Sequence, residues 1–319
     1  MSKTIEKFIE KSSLETLQLI VGYDCNNFCL FCMETDRIGR RREVKRFLKE
    51  RIYQVLEENT HIKKVVFTSG EPTLNPQIFN YAKRAKELGY KRIEIISNGR
   101  MFCHKDYCAE LIEAGVNEFI VSIHGHNKKI HEAMSRTPNS FNQTSQGLGN
   151  MSWFRSRRSI KLSVNHVLTK YNYKFIGDFL EFLRNYFLDD AVLKTVRMSE
   201  SVEQAVGSLI APRYKEVSKI LEELHRNKPG LFLSRLKPKD NYIYVYDLPF
   251  CCYGNIGQLF GAGEKVLLDL NNQTVRMDYS KNKVKDKKCE LCKHNFICGG
   301  VYKGYIKKYG WDEFAPVKK

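Results

Sequence analysis

The chain has 319 residues, of which 42% are hydrophobic and 28% are charged, and this balance excludes wholesale disorder and predicts a packed globular protein. The start, MSKTIEKFIEKSS, lacks the apolar core of a signal peptide, and no run approaches a membrane span, so we predict a soluble, cytoplasmic protein with no membrane partner. The net charge of +17 leaves nucleic acid open as a partner, although the basic runs lack the interleaved aromatic residues of a single-strand platform.

Strand-like and helical patterns alternate from residue 17 to about 198. The strand-like runs are LQLIVGY, VVFTSG, RIEIISNG, EFIVSIHG, KLSVNHVL and VLKTVRMS, and they are followed by helical patterns at 43–58, 76–88, 105–115, 127–152, 173–187 and 212–226. Six such βα units predict a parallel sheet with right-handed crossovers, either open or curled into an incomplete barrel. In both architectures the active site lies at the C-terminal ends of the strands.

The pattern changes after about residue 235. The segment KPKDNYIYVYDLPFCCYG precedes a hairpin-like stretch, GEKVLLDLNNQTVRMDYS, with NNQ as its turn. A Cys-rich tail follows. We therefore predict an N-terminal segment at 1–16, an α/β domain at 17–235 and a small C-terminal domain at 236–319.

Polar residues follow the predicted strands at their C-terminal ends. They are Cys25, Gly70, Glu71, Ser97, Asn98, Ser122, His124, Asn165, Arg197 and Ser199. Each of them alone could be a turn or cap residue. Because the C-terminal ends of parallel strands meet at one edge of a sheet, we expect these residues to line one site.

The ten cysteines fall mainly into two groups, one near each end of the chain. In an intracellular protein such clusters favour metal ligands over disulfides. Cys25, Cys29 and Cys32 form a C-x3-C-x2-C run directly after the first predicted strand. Three thiols cannot complete a four-coordinate zinc site unless a distant residue joins them, whereas a cubane iron–sulfur cluster can take three thiolates and keep one iron open for a ligand.

The C-x3-C-x2-C run, with Phe31 before its last Cys, resembles the signature of the radical S-adenosylmethionine superfamily, and FTSGEPTL resembles the Gly-Gly-Glu-Pro motif of that family. ISNGR and VSIHGHNKKIHEAMSRTPNSFNQT extend the resemblance toward the branch that contains peptide maturases. It implies a partial (β/α)6 TIM-like barrel and an enzyme that reductively cleaves S-adenosylmethionine to a 5′-deoxyadenosyl radical. Ser69 replaces the first Gly of the motif, and we expect a small Ser to be tolerated there because the contact is largely main-chain.

The resemblance also implies the cofactor site. Cys25, Cys29 and Cys32 would hold a [4Fe–4S] cluster whose open iron binds the amino and carboxylate groups of S-adenosylmethionine. The other implied cofactor contacts are Phe31 at the adenine, Gly70 and Glu71 at the methionine amine, Ser97, Asn98 and Ser122 at the ribose, Arg136 at the methionine carboxylate, and Asn165 at the same site.

The tail cysteines Cys289, Cys292 and Cys298 form C-x2-C-x5-C, which is similar to part of the SPASM and twitch auxiliary-cluster domains of this family. A full SPASM domain would have a Cys where Tyr302 stands, and Met277 occupies about the place of a ligand in the hairpin. The resemblance therefore implies one auxiliary [4Fe–4S] cluster. Its fourth ligand is Cys251 or Cys252, with Cys251 favoured by a Pro-x-Cys pattern; if neither binds, an iron is open for substrate. A zinc knuckle and thiols that bind no metal are the alternatives.

Two further pairs of residues follow predicted strands. Cys103 and Cys108 come after ISNGR, where a thiol is ordinarily a small hydrophobic group, but Cys103 is also a candidate hydrogen-atom donor to the substrate. His124 and His126 are expected to form hydrogen bonds at the rim of the site and not to bind a metal.

The substrate expected from the resemblance is a ribosomally made peptide that is crosslinked or epimerised. Because the 24 residues before Cys25 are too few for an autonomous leader-binding domain, the sequence predicts a separate recognition protein or none. The alternatives are oxidation or C–C bond formation on a small molecule such as a sugar, nucleoside or lipid, RNA modification, and a non-catalytic Fe–S or Zn binding module. A flavodoxin or ferredoxin is the expected reductant.

Overall fold

The computed structural model describes residues 16–32, 48–198, 210–234, 236, 240, 242–252, 266–268, 274–276 and 282–318. Its strands are β1 (Thr16–Ile20), β2 (Lys64–Thr68), β3 (Arg92–Ser97), β4 (Glu118–Ser122), β5 (Lys161–Leu168), β6 (Asp190–Thr195), β7 (Ile243–Tyr246), β8 (Val266–Leu268), β9 (Thr274–Arg276), β10 (Lys283–Val284) and β11 (Val301–Tyr302). Its α-helices are α1 (Leu48–Glu58), α2 (Ile78–Glu87), α3 (Lys105–Ala114), α4 (Lys128–Ser135), α5 (Ser140–Arg155), α6 (Ile176–Leu183), α7 (Tyr214–Asn227) and α8 (Lys303–Tyr309). In this part of the chain no helix could cross a membrane.

Within these residues the main sheet has the strand order β7-β6-β5-β4-β3-β2-β1-β8-β9. Strands β1 to β7 run parallel, and β8 pairs in parallel with β1 and lies between it and the edge strand β9. The predicted α/β fold with a TIM-like, incomplete barrel is confirmed. The predicted hairpin is also confirmed by the antiparallel pairing of β8 with β9, while its turn, NNQ, lies outside the described residues.

Besides β8 of the hairpin, which pairs in parallel with β1, the sheet holds a second parallel strand that the sequence does not predict. Strand β7 pairs with β6, with Ala191 opposite Ile243. The sequence assigned this short segment to the C-terminal domain, because it has no helical pattern of its own and follows NKPG. The boundary near 235 stays a prediction, but β7, which follows it, forms one edge of the main sheet.

Helices cover the outer face of the sheet, and the strands are buried accordingly. Val65, Val66 and Phe67 of β2 are fully buried in succession, as expected for a parallel strand covered on both faces. Helix α2 buries four residues at a spacing that places one apolar stripe against the sheet. They are Ile78, Tyr81, Ala82 and Ala85.

The C-terminal residues pack directly on helix α7. The ring of Tyr305 in α8 stacks on that of Tyr214 with centroids 3.9 Å apart, and the backbone N–H of Tyr214 donates to the Tyr305 hydroxyl at 2.8 Å. The buried Glu313 carboxylate accepts from the N–H of Lys215 at 2.9 Å. These contacts hold the Cys-rich tail against the barrel.

A second contact joins the tail to the ends of β6 and β7. The Asp247 carboxylate accepts hydrogen bonds from Arg197 Nε at 3.0 Å, Lys283 Nζ at 3.2 Å and the Tyr302 hydroxyl at 3.0 Å. The nearby cations, Arg197 and then Lys283, hold the pKa of Asp247 below its usual range although burial acts in the opposite direction. Arg197 therefore pairs with a carboxylate at the strand end, while Ser199 lies outside the described residues.

Candidate active site and auxiliary cysteine site

The first cysteine loop, residues 21–32, leaves the C-terminal end of β1. Cys25, Cys29 and Cys32 are partly exposed, and none of the three forms a disulfide. The N–H of Cys32 donates to the Cys29 carbonyl at 3.2 Å, which forms a tight turn between these two residues. The ring of Phe31 meets that of His124 edge-on at a centroid distance of 4.6 Å. One short loop at the strand ends thus carries all three thiols.

The loop after β2 fixes the start of the first cysteine loop. The N–H of Glu71 donates to the Asp24 carbonyl at 2.6 Å, and Asn75 Nδ2 donates to the Val21 carbonyl at 2.6 Å. Gly70 has a φ of 52°, and a Cβ added there would lie 2.5 Å from the Asp24 oxygen. Only glycine fits this close approach of two backbones.

Ser69 stands where the resembling motif has its first glycine, and it adopts a φ of 72°. This left-handed conformation is strained for any residue with a Cβ. The small side chain is accommodated, as the sequence predicts, but at a conformational cost that glycine would not carry.

The loop after β3 fixes the middle of the first cysteine loop. Arg100 Nη1 donates to the Asn26 carbonyl and, at 3.1 Å, to Asn27 Oδ1, while its Nε donates to Gln143 Oε1 at 2.7 Å. Asn98 Nδ2 donates to Asn26 Oδ1 at 2.7 Å. The guanidinium is therefore tied to the two residues that follow the first thiol. Sequence reasoning assigned no role to Arg100, although it ends the ISNGR segment.

The C-terminal end of α4 fixes the last part of the loop. The N–H groups of Phe28 and Leu30 donate to the carbonyls of Ser135 and Met134 at 2.9 and 3.0 Å. Arg136 follows immediately as the exposed cap of this helix, with a φ of 53°. The predicted carboxylate-binding arginine is thus next to the residues that hold the chain on either side of the second thiol.

Glu71 is the centre of a buried hydrogen-bond network. Its Oε1 accepts from the Thr73 N–H at 3.1 Å, the Thr73 hydroxyl at 2.6 Å and the Ser97 hydroxyl at 2.8 Å, and its Oε2 accepts from the Asn98 N–H at 2.6 Å. Burial raises the pKa of Glu71, while the Thr73, Asn98 and Ser97 hydrogen bonds act against that shift. The carboxylate joins the loops after β2 and β3, so a cofactor amine would have to share it with four internal donors.

The remaining predicted cofactor residues lie on adjacent strands. Ser122 at the end of β4 is opposite Asn165 of β5 in the sheet register. Ser122 is partly exposed, whereas Asn165 is buried. The Ser97 hydroxyl is engaged within the protein, because besides donating to Glu71 it accepts from the Gly99 N–H at 2.9 Å.

A layer of three buried histidines lies next to Phe31, and sequence reasoning singled out only one of them. His124 Nδ1 accepts from the Val167 N–H at 3.2 Å, and His131 Nδ1 accepts from the His124 N–H at 3.1 Å. Burial lowers the pKa of His124, and lowers that of His131 to about 4 and that of His166 to about 3. The three rings are therefore neutral near neutral pH. His131 could have been found from its place on the apolar face of α4.

The two histidines that the sequence predicts at the rim therefore differ. His126 is partly exposed, its Nε2 lies 2.8 Å from Asn127 Nδ2, and its ring centroid is 5.9 Å from that of Phe175. His124 is buried under Phe31 instead. His124 therefore contributes to the site by packing against Phe31.

The two isolated cysteines differ in their surroundings. Cys103 ends a one-turn helix after Arg100 and is partly exposed, and burial raises its pKa. Cys108 is fully buried, its Sγ donates to the Phe102 carbonyl at 3.2 Å, and burial raises its pKa to about 12. Cys108 therefore has the environment of a small core residue, and Cys103 is the more accessible thiol.

Four cysteines from two distant segments line a single cavity in the tail. Cys251, from a one-turn helix after β7, and the loop that carries Cys289, Cys292 and Cys298 contribute to its wall. In the part of the chain that the structure describes, no three His, Cys, Asp or Glu side chains converge on a single metal ion. Four Cys thiolates are the ligand set that iron–sulfur clusters commonly take.

The adjacent thiols Cys251 and Cys252 are distinguished by their positions. Cys252 is buried and lies outside the cavity lining, whereas Cys251 is part of it. A hydrogen bond from the Cys252 thiol lowers the pKa of Cys251 to about 7, and the same bond together with burial raises the pKa of Cys252. Cys251 is thus the accessible thiolate-forming member of the pair.

Part of the sequence is similar to known proteins. Residues 19–183 match the family model described as "Radical SAM superfamily". A Saccharolobus islandicus protein described as "Probable GTP 3′,8-cyclase" is 25% identical over 219 residues, which are 67% of this chain and 65% of that protein. The match therefore spans just under two thirds of the length of this curated relative.

Solved structures share the fold at lower sequence identity. Streptococcus suis SuiB bound to the precursor peptide SuiA has a TM-score of 0.65 and 16% identity, over 98% of this chain and 77% of that one. Native anSMEcpe with bound AdoMet and a peptide has a TM-score of 0.57 and 12% identity, over 94% of this chain and 91% of that one. At 98% coverage, the similarity to SuiB includes the Cys-rich tail.

Proposed function

The chain belongs to the radical SAM superfamily, and from this premise we propose that it is an enzyme that oxidatively modifies a peptide. Its chemistry depends on a [4Fe–4S] cluster and S-adenosylmethionine, which together supply a 5′-deoxyadenosyl radical that abstracts hydrogen from a substrate carbon. An external reductant and a substrate are required partners.

We assign the cluster to Cys25, Cys29 and Cys32. The assignment is supported by their position on one short loop, where none of them is in a disulfide, and by the hydrogen bonds that fix this loop from three sides. A preorganised loop keeps the ligands in place without reorganisation when the cofactor binds.

We assign the cofactor cavity to residues at the strand ends. Glu71 and Ser97 are proposed to act mainly by positioning, because four internal donors occupy the Glu71 carboxylate. Any contact with the methionine amine would then be shared with those donors. Direct contacts are proposed for Phe31, Gly70, Asn98, Ser122, Arg136 and Asn165.

The observation that carries the oxidative assignment is the cavity lined by Cys251, Cys289, Cys292 and Cys298. Four thiols form a complete ligand set for a second [4Fe–4S] cluster, and such a set leaves no iron open to bind substrate. A fully ligated cluster, whose potential the protein can tune, supplies an electron acceptor. We therefore propose residues 236–319 as the domain that carries this acceptor and residues 17–235 as the domain that generates the radical.

A peptide substrate is supported by the likeness to peptide-bound SuiB, which extends over 98% of this chain. Crosslinking fits the acceptor better than epimerisation does, because crosslinking removes two hydrogens and epimerisation removes none. A hydrogen-atom donor such as Cys103 would be needed only for epimerisation. A second candidate substrate is a nucleotide, supported by the sequence relatives described as "Probable GTP 3′,8-cyclase". RNA modification is supported only by the net charge of +17.

The test supplies each substrate class to the same enzyme. Anaerobically reconstituted protein, S-adenosylmethionine and dithionite are incubated with GTP, or with a short peptide encoded beside this gene. We expect 5′-deoxyadenosine to form and the peptide to lose the mass of two hydrogens. Conversion of GTP with the peptide left intact would replace the peptide assignment by the nucleotide one.

A Cys289→Ala variant tests the role of the tail. It should still cleave S-adenosylmethionine while product formation collapses, provided that it keeps about four irons, the content of one cubane. If this variant makes product at the wild-type rate, the tail has no part in the reaction.

A further inference from the structure

The loop that carries the tail cysteines exposes an apolar surface. Leu291, Phe296 and Ile297, which we call the tail patch, have exposed fractions of 74%, 65% and 45%. Leu291 and Phe296 are the two most exposed large apolar side chains among the described residues. Exposed apolar side chains gathered on one loop favour an interaction surface.

The tail patch is displayed on a fixed backbone. The N–H of Cys292 donates to the Cys289 carbonyl at 3.0 Å, and the N–H of Asn295 donates to the Cys292 carbonyl at 3.0 Å. The N–H of Lys293 donates to the Val317 carbonyl at 3.0 Å, which joins the loop to the C-terminal segment. The apolar side chains are therefore presented in a preformed arrangement, and docking on them costs little ordering entropy.

The tail patch lies directly beside the four-thiol cavity. Leu291 precedes Cys292 and Ile297 precedes Cys298, and both of these cysteines line the cavity. A molecule docked on the patch is therefore separated from the cavity by little more than the loop itself.

The rim of the tail patch is mainly cationic. Lys285, Lys287 and Lys293 are exposed around it, against one exposed carboxylate at Glu290. An apolar centre with a positive rim is complementary to a partner with an apolar centre and an acidic rim. A symmetric dimer through the same patch would bring these lysines toward their own copies, which disfavours a second copy of this chain as the occupant.

We propose that the tail patch docks an acidic one-electron carrier protein, which in its oxidised form takes up the one electron that the auxiliary cluster has accepted from the substrate, so that the cluster is re-oxidised and the carrier is reduced. This inference rests on the proposed auxiliary cluster, because a carrier must come close to the group with which it exchanges electrons. It assigns the carrier to the tail face and not to the first cysteine loop, where Phe28 is also 61% exposed.

The test measures binding of an oxidised, acidic flavodoxin to the reconstituted full-length protein, by titration calorimetry at low and moderate salt. Leu291→Ser combined with Phe296→Ser should weaken binding about tenfold, since exposed apolar anchors at the centre of an interface carry much of its affinity. Lys287→Glu combined with Lys293→Glu should weaken it by a similar factor and remove most of its salt dependence. Both variants should keep the wild-type iron content, because the replaced side chains are exposed.

Phe187→Ser is the matched control. This phenylalanine is 40% exposed just before the N-terminal end of β6, whereas the tail contacts the C-terminal ends of β6 and β7. Its replacement should leave affinity within about twofold of wild type, as expected for a side chain outside the interface.

The proposal is overturned if wild-type protein does not bind flavodoxin, if the tail variants bind normally, or if Phe28→Ser abolishes binding while they do not. A change of oligomeric state in the Leu291 variant would also overturn it, by showing that a second copy covers the patch. Iron content and 5′-deoxyadenosine formation, measured in parallel, report separately on the proposed function.

Discussion

Arg100 Nη1 lies 3.1 Å from Asn27 Oδ1 and also donates to the adjacent Asn26 carbonyl. These bonds link the loop after β3 to the chain between Cys25 and Cys29. A hydrogen bond from a charged donor contributes about 1.5–3 kcal/mol, so this side chain strongly influences where the first two thiols lie.

Replacing Arg100 by Met should loosen the first cysteine loop. We expect S-adenosylmethionine to bind at least about tenfold more weakly, because even one of the three charge-assisted bonds that are lost contributes about that much, and Arg100→Lys to restore part of the affinity. The measurement is equilibrium binding of the cofactor to reconstituted protein. Arg84→Met is the control, because Arg84 forms exposed ion pairs with Glu57 and Glu87. Equal affinity in the Arg100 and Arg84 variants would contradict the role of Arg100 in fixing the loop.

Glu71→Gln should destabilise the protein by about 1–3 kcal/mol, because an amide NH2 cannot accept the hydrogen bonds that a carboxylate oxygen accepts. Burial raises the pKa of Glu71 above its ordinary 4.5. The folded state therefore holds this proton more tightly than the unfolded state, and its contribution to stability is present below pH 4.5 and is lost as the pH rises through the folded pKa. Urea unfolding of both proteins across this range measures the effect. If the free energy of unfolding of Glu71→Gln depends on pH as that of the wild type does, Glu71 does not contribute to this pH dependence.

Gly70→Ala and Ser69→Gly should have different effects. The added Cβ of Ala at position 70 would lie 2.5 Å from the Asp24 oxygen, so the first cysteine loop must move and cofactor binding should be lost. Glycine at position 69 relieves the strain of the left-handed backbone, which costs about 1 kcal/mol or more. Glycine also loses more backbone entropy on folding, and this cost is of similar size. We expect the free energy of unfolding of Ser69→Gly to stay within about 1 kcal/mol of wild type. Denaturant unfolding measures the stability of both variants, and equilibrium binding measures their affinity for the cofactor. Normal cofactor binding by Gly70→Ala would contradict the close approach of the two backbones.

The buried histidines should make the protein sensitive to acid. The folded pKa of His131 is lowered to about 4 from an ordinary 6.5, so its contribution to stability is present above pH 6.5 and is lost as the pH falls toward 4. The shift corresponds to a loss on the order of 3 kcal/mol for this one group. His131→Gln should flatten the dependence of unfolding free energy on pH in this window. An exposed histidine, His61, provides the control variant His61→Gln, and identical slopes in the two variants would contradict the assignment.

The barrel is predictable from the sequence because each of its first six strands is a short apolar run followed by a helical pattern, and this alternation is a local property. Strand β7 could not be predicted in this way, because no helical pattern follows its four residues, IYVY, and its partner β6 is about fifty positions away in the sequence. The thiol positions follow from spacing within one loop. The roles of Arg100 and Glu71 depend on contacts between loops that only the folded chain brings together.

Completion of a second cluster by four tail thiols is tested most directly by the iron content of anaerobically reconstituted protein. The same measurement is made on a Cys25, Cys29 and Cys32 triple Ala variant, on Cys251→Ala and on Cys252→Ala. Two cubanes predict about eight irons per chain in the wild type and about four in the triple variant, with Cys251→Ala losing tail iron and Cys252→Ala keeping it. About four irons in the wild type, the content of one cubane, together with a tightly bound zinc, would contradict the second cluster.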